Sequence, residues 1–200
     1  MRWNVTTLLA PGGAKMYQDS NTGSNGRQPA DLWCKVAYWE LRQRVGRQFA
    51  VFEPTVNVFQ EQPRGDGMCL GVLQQATDCE SIQRTRAKIG YGMTLSKEPD
   101  GVWVYNRSEH ALFVNSPTLD LPNSRTFIVH KVLPGYCMNI FDFETAEMFA
   151  RIRDPQFSDG PYDPNSIRIS FAKGWGACYS RQFVSSCPCW AEVLLRRVDR

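Results

Sequence analysis

The apolar residues of this chain fall in short runs, and most of those runs have the character of strands. Trp33-Cys34-Lys35-Val36-Ala37-Tyr38-Trp39-Glu40 is rich in aromatic residues and gives way to the polar stretch Arg42-Gln43-Arg44. Similar runs follow at 49–52, 56–59, 68–73, 91–95, 102–105, 111–114, 127–132, 167–171 and 190–195. Pro99-Asp100-Gly101 supplies turn chemistry between two of them. Many short strands broken by turn residues predict a mainly β chain built as a β-sandwich. Trp39, Val102, Val104, Val129, Phe171 and Trp190 lie in strand-like runs and are the expected core.

Two segments break this pattern with helical spacing. Thr77 with Glu80 three residues later reads as a capping box. It predicts a helix running to about Ile89, with Gly90 placed to end it. A second helix is predicted from about Glu144 to Ile152, where Ala146, Phe149 and Ala150 recur at helical intervals. Residues 1–30 carry loop-like stretches such as Pro11-Gly12-Gly13 and are expected to be a disordered tail. The patterned domain is expected over 31–198.

Length and composition sharpen the picture. Two hundred residues suffice for one domain with a full core. Hydrophobic residues at 42% and charged residues at 22% are ordinary for a soluble chain. No apolar run approaches the ~20 residues that span a bilayer, so no membrane insertion is expected. Met1 to Ala10 makes a poor secretory signal. Seven cysteines, an odd number without such a signal, are read as reduced thiols of a cytosolic or nuclear protein. A net charge of +3 is too small to draw nucleic acid by itself, so any basic site must be local.

Catalytic material is sparse. His130 sits in an apolar run and reads as a satisfied structural residue; His110 falls in a turn and reads as exposed. A Cys-His dyad stays open, because its members need only meet in space. No P-loop is present. Cys187-Pro188-Cys189 has neither the spacing nor the histidines of a common zinc site, and reads as two buried thiols at the start of a strand. The chain is therefore expected to be no enzyme and to need no cofactor or metal.

The basic residues are more informative. Ile82 and Ile89 share one face of the first helix and should pack inward. Arg84 and Lys88, an i, i+4 pair, point the other way. Arg86 falls nearer the apolar side and must snorkel or find a carboxylate or carbonyl. A charge triplet alone is most simply a solvated face. A second basic element follows in Lys173-Gly174-Trp175-Gly176, with Tyr179, Arg181 and Gln182 beyond it. Two glycines around a tryptophan make a conformationally special loop, in which the indole is either a packing anchor or a contact residue.

Several of these stretches together resemble the Mad homology 2 domain of the SMAD family. They are Trp33-Cys34 with Ala37-Tyr38-Trp39-Glu40, Arg44-Val45-Gly46, Gly101-Val102-Trp103-Val104-Tyr105-Asn106-Arg107-Ser108, and Val129-His130-Lys131-Val132. The longest runs from Ile169-Ser170-Phe171 through Lys173-Gly174-Trp175-Gly176 and Arg181-Gln182 to Ser185-Ser186-Cys187-Pro188-Cys189-Trp190. The pattern is closer to the inhibitory SMADs than to the receptor-activated ones. The Ser-x-Ser tail of receptor-activated members is not seen at Val198-Asp199-Arg200, and the region between Phe143 and Ile167 has room for one helix.

The resemblance implies a SMAD/forkhead-associated-like β-sandwich, with a loop-helix region at one end and a reduced helical cap at the other. It also implies a basic groove for the phosphorylated segment of activated type I TGF-β/BMP receptor kinases. Carried over by motif, the candidates are Arg84, Lys88, Lys173 and Arg181, with Arg86 and Trp175 supporting the groove's shape. The implied role is to occupy the receptor and block receptor-activated SMADs. Other SMADs and transcription regulators are further implied partners, and the implied location is cytoplasm and nucleus. No direct DNA binding is expected from this chain, which shows no first Mad homology domain. The alternative within the fold is a common-partner or receptor-activated-type transducer that oligomerises and regulates transcription.

Overall fold

In the computed structural model, which describes residues 31–61, 66–120, 127–152 and 163–196, the alternating runs form two sheets. The first joins β1 (Cys34–Glu40), β2 (Gln43–Val51), β7 (Leu112–Asn115), β8 (His130–Val132), β10 (Ser166–Phe171) and β11 (Trp190–Leu195) in the order β2-β1-β11-β10-β7-β8. The second joins β3 (Thr55–Phe59), β4 (Met68–Cys69), β5 (Met93–Glu98), β6 (Gly101–Asn106) and β9 (Cys137–Asp142) in the order β4-β3-β5-β6-β9. All pairings are antiparallel except β3 with β4. Two α-helices, α1 (Glu80–Ile89) and α2 (Phe143–Ile152), and short 3-10 turns at Pro117–Leu119 and Val184–Ser186 complete the described elements. The expected tail, 1–30, lies outside the described residues.

Period-two alternation builds the core. Val36, Tyr38, Ile167, Ile169 and Val193 point in from the first sheet, against Val58, Met93, Leu95, Val102 and Val104 of the second, all removed from solvent. Ile82 and Ile89 dock α1 on this core, as the helical spacing predicts. The alternate positions of the first sheet face the other way. There Phe113, Trp175, Cys187 and Trp190 form a second buried cluster, with Trp39 and Val129 half-buried around it. Of the expected core, Val102, Val104 and Phe171 belong to the sandwich interior and Trp190 to this second cluster. Trp39 and Val129 are corrected to partly exposed flanking positions. For Trp39 the cause is the alternation itself: Val36 and Tyr38 take the inner face of β1.

Other sequence readings shift at element ends. β1 ends at Glu40 before the polar stretch Arg42 to Arg44, as read, but β2 starts within that stretch at Gln43 and so extends well upstream of the expected run 49–52. Only Met68 and Cys69 of the run 68–73 are strand, and only His130 to Val132 of the run 127–132. β9 was not anticipated, because Cys137-Met138-Asn139-Ile140-Phe141-Asp142 lacks clean alternation. The turn at Pro99 and Asp100 joins β5 to β6 as read.

The capping box does not form. α1 starts at Glu80 with Cys79 in the cap position and no side-chain cap; the Thr77 hydroxyl instead accepts the Cys79 N–H at 3.2 Å. α2 is the helix with a side-chain cap, Asp142 Oδ1 accepting the Thr145 N–H at 2.6 Å. His130 is not satisfied on both nitrogens: its Nε2 is buried with no partner among the described residues. His110 is half-buried rather than exposed. Both thiols of Cys187-Pro188-Cys189 are fully buried.

Candidate functional site

Helix α1 buries Ile82, Thr85 and Ile89, which turns its remaining positions outward. Arg86 lies at the border, where it meets a carboxylate and a carbonyl. Its Nε and Nη2 donate to the two oxygens of Glu40, each at 2.7 Å, and its Nη1 donates to the Gln75 carbonyl at 3.0 Å. Glu40, at the end of β1, also accepts the Tyr38 hydroxyl at 2.9 Å, and Gln74 Nε2 donates to that hydroxyl at 3.1 Å. The carboxylate holds the Arg86 guanidinium above its ordinary pKa. The Arg86 fork is therefore committed to fixing α1 on the sandwich. Arg84 is exposed and paired with Glu80 one turn earlier, while Lys88 sits half-buried in the last turn.

The second basic element is the loop after β10. Ala172 takes a left-handed conformation, φ 57°, which a side chain ordinarily avoids at a cost of ~1–2 kcal/mol. It is held there by its N–H on the Ala111 carbonyl at 3.0 Å. The next carbonyl, that of Lys173, accepts the Ser170 hydroxyl at 2.7 Å. At Gly174 a β-carbon would lie 2.5 Å from the Tyr179 ring, so only glycine lets that ring close over the backbone. Tyr179 also sets its ring edge-on to Phe113, with centroids 5.4 Å apart. Gly176 has φ 95° and donates its N–H to the Arg181 carbonyl at 2.7 Å, which closes the loop. Trp175 is buried against Phe113, Cys187 and Trp190, and so takes the packing role of the two the sequence left open. The side chains of Lys173 and Arg181 project from this fixed backbone, half-buried and without an ion pair among the described residues.

A short segment joins the two elements. The Ser108 hydroxyl donates to the Lys88 carbonyl at 3.0 Å and accepts the His110 N–H at 3.1 Å. One residue on, Ala111 accepts the Ala172 N–H. The Cys189 thiol reaches the Ile82 carbonyl at 3.9 Å from the other side of the helix, and the Cys189 carbonyl accepts the Phe171 N–H at 3.1 Å. The basic end of α1 and the start of the Lys173 loop are thus fixed to one frame by β6–β7 and by β11. Lys88 carries no ion pair among the described residues either.

Beside Lys88 opens a groove of about 560 Å³ lined by Glu61, Ala87, Lys88, Gly90, Tyr91, Glu109 and His110. Its acidic and aromatic members were not singled out from the sequence, nor was Phe183, whose ring is 66% exposed two residues after Arg181. A lone glutamate or an aromatic in a loop carries no periodic signal. Glu40 was legible as the acidic end of an aromatic strand, but nothing in the sequence links it to a partner 46 residues away. No hydrogen bond joins either imidazole to a cysteine among the described residues, and no group of three metal-ligating side chains is found among them. No helix among them is long and apolar enough to cross a membrane.

Comparison with known proteins agrees with this architecture. Residues 31–196 match the family model described as the MH2 domain. The chain is 61% identical over 179 residues to mothers against decapentaplegic homolog 6 of Gallus gallus, covering 90% of this chain and 41% of that protein. It is 48% identical over 191 residues to homolog 7 of Homo sapiens, covering 94% of this chain and 43% of that protein. The chain thus spans about two fifths of the length of the curated relatives it matches. Among solved structures, the interferon regulatory factor 9 IAD domain is similar at a TM-score of 0.54 with 14% identity, covering 83% of each chain. A chain in the crystal structure of STAT2 in complex with IRF9 is similar at 0.52 with 13% identity, covering 83% of this chain and 92% of that one. At such identities the likeness concerns the fold alone.

Proposed function

This chain belongs to the MH2 domain family, a family of signalling adaptors and transcription regulators, and on that premise we propose that it is an inhibitory SMAD-like adaptor. It binds the phosphorylated segment of activated type I TGF-β/BMP receptors and keeps receptor-activated SMADs from the same site. It does so as a binding protein, without catalysis, in cytoplasm and nucleus. Homologs 6 and 7 are the inhibitory branch, whose motif pattern this sequence follows.

The observation that carries the receptor reading is the frame between Lys88 and Lys173. Four cations, Arg84, Lys88, Lys173 and Arg181, stand on two elements that hydrogen bonds through Ser108 and Ala111 tie together. Three of them have no carboxylate partner among the described residues. A phosphoserine brings about −1.5 to −2 charges and three acceptor oxygens, which suit such a cluster. Arg86 supports the site by holding α1 through Glu40, and Trp175 by anchoring the loop in the aromatic cluster.

The test is capture of phosphorylated against unphosphorylated type I receptor kinase domain. The wild-type chain should retain the phosphorylated form only. Each lost contact to a charged group removes roughly 1.5–3 kcal/mol of binding, so Lys88→Glu with Lys173→Glu should weaken capture by orders of magnitude in a folded protein. Capture should also weaken as salt rises. Equal capture of both receptor forms, or by the folded double variant, would overturn the reading.

A further inference from the structure

We infer that the groove at the C-terminal end of α1 is a subsite for a basic residue flanking the phosphate, so that the ligand class is a phosphopeptide with a Lys or Arg near its phosphoserine. This rests on the phosphate-binding reading above and adds a second pole to it.

The groove has three walls, and each is fixed to the others. Gly90 ends α1 with φ 52°, and its carbonyl accepts the Gln60 N–H at 2.9 Å, which sets Glu61 on one side. The Lys88 carbonyl takes the Ser108 hydroxyl, which sets Glu109 and His110 on another. Gly92 donates to the Ile89 carbonyl at 2.8 Å and accepts the Arg107 N–H at 2.9 Å, which fixes Tyr91 between them. A β-carbon at Gly92 would fall 1.9 Å from the Val58 carbonyl oxygen, so this backbone is packed against β3. The walls do not need a ligand to assemble.

Lys88, one of the cations assigned to the phosphate, also lines this space, and two carboxylates, Glu61 and Glu109, line it with no ion pair to any described residue. Tyr91 is 53% exposed and offers a ring face, on which a guanidinium or the aliphatic stem of a lysine can lie. A dianionic phosphate is drawn to Lys88 and repelled by Glu61 and Glu109, whereas a peptide that carries both charges a few residues apart suits all three.

The experiment uses synthetic phosphoserine peptides in which Ala, Lys and Glu are scanned through each flanking position. Binding is measured to wild type, to Glu61→Gln with Glu109→Gln, and to Glu109→Lys. The wild type should prefer Lys over Ala at one side of the phosphate by about two- to fivefold, the range of a partly exposed ion pair. The double Gln variant should lose that preference and keep its affinity for the Ala peptide. Glu109→Lys should shift the preference toward Glu. Unfolding midpoints verify that each variant is folded. A flat flanking profile with phosphate dependence intact overturns this inference and leaves the receptor reading standing. Loss of phosphate dependence in the wild type overturns both.

Discussion

Glu40 and Arg86 meet in a two-point ion pair, Nε to Oε1 and Nη2 to Oε2, each 2.7 Å long, with only 8% and 16% of their side chains exposed. The pair joins the end of β1 to the middle of α1. Breaking a buried pair on one side strands the other charge, which costs about 3–5 kcal/mol. Glu40→Ala should therefore lower the unfolding midpoint clearly and weaken phosphopeptide binding by loosening the helix that carries Arg84 and Lys88. Replacing both residues, Glu40→Leu with Arg86→Met, should recover much of the stability. Chemical denaturation of the single and double variants measures this, and a harmless Glu40→Ala would remove the pair from any role in holding α1.

The loop of Lys173 makes a different kind of prediction. Its Gly174 lies so close to the Tyr179 ring that an alanine β-carbon would fall 2.5 Å from it. The ring must move, and with it the contact to Phe113. Gly174→Ala should cost stability, on the order of 1–3 kcal/mol for overpacking, and should cost binding as well because Lys173 and Arg181 change position. Gly135→Ala is the control. Unlike Gly174 it has a positive φ, 76°, but it has open space around its Cα, so its cost should be conformational only and binding should be unchanged. Titration of a phosphopeptide against both variants separates the two effects.

Much of this could be read from residue order, for reasons that differ by element. Period two is a strong signal where one face is buried, so β1, β6, β10 and β11 were legible and the sandwich with them. It also misled: Trp39 is aromatic and within a strand, yet it faces away from the sandwich interior. Thr77 and Glu80 fit a capping pattern, but the helix starts at the glutamate, so the threonine is too far upstream to cap it. The basic residues of α1 and the loop were found by type and spacing, and their neighbourhood by resemblance to a family. Glu61 and Glu109 were not found, because their groove is made by three segments distant in sequence and closed by backbone hydrogen bonds that no side-chain pattern encodes.

Alkaline pH should act through the buried thiols. Burial pushes Cys34 and Cys189 up to about 12. Their raised values mean that the folded chain holds these protons more tightly than the unfolded one. That contribution is whole below the unfolded thiol range, ~8.5, and is lost as pH climbs from there toward about 12. The denaturation midpoint should fall across that interval, and less steeply in Cys34→Ala. Cys79, half-buried with its pKa lowered by the Ser81 side chain and the Ile82 backbone, should react with a maleimide well before Cys34 and Cys189 at neutral pH. Equal labelling of all three in native protein would contradict the burial pattern.

The stacked pair Trp39 and Trp190 offers the sharpest comparison, because the two indoles differ in one hydrogen bond. They are cross-strand neighbours on β1 and β11, with ring centroids 5.2 Å apart and planes 9° from parallel. Trp190 is buried and donates Nε1–H to the Leu41 carbonyl at 2.8 Å, across a turn in which Leu41 has φ 53°. Trp39 Nε1 is buried with no partner among the described residues. Trp190→Ala removes a buried ring at about 3–5 kcal/mol. Trp190→Phe keeps an aromatic face but leaves the Leu41 carbonyl without its donor, and should cost about 1–3 kcal/mol beyond the lost packing. Trp39→Phe loses packing alone and sheds an unsatisfied donor, so it should be the mildest of the three. Unfolding midpoints in that order would place the stabilisation in the Trp190–Leu41 bond. If Trp39→Phe proves as costly as Trp190→Phe, the stack itself holds this end of the sheet and the hydrogen bond is incidental.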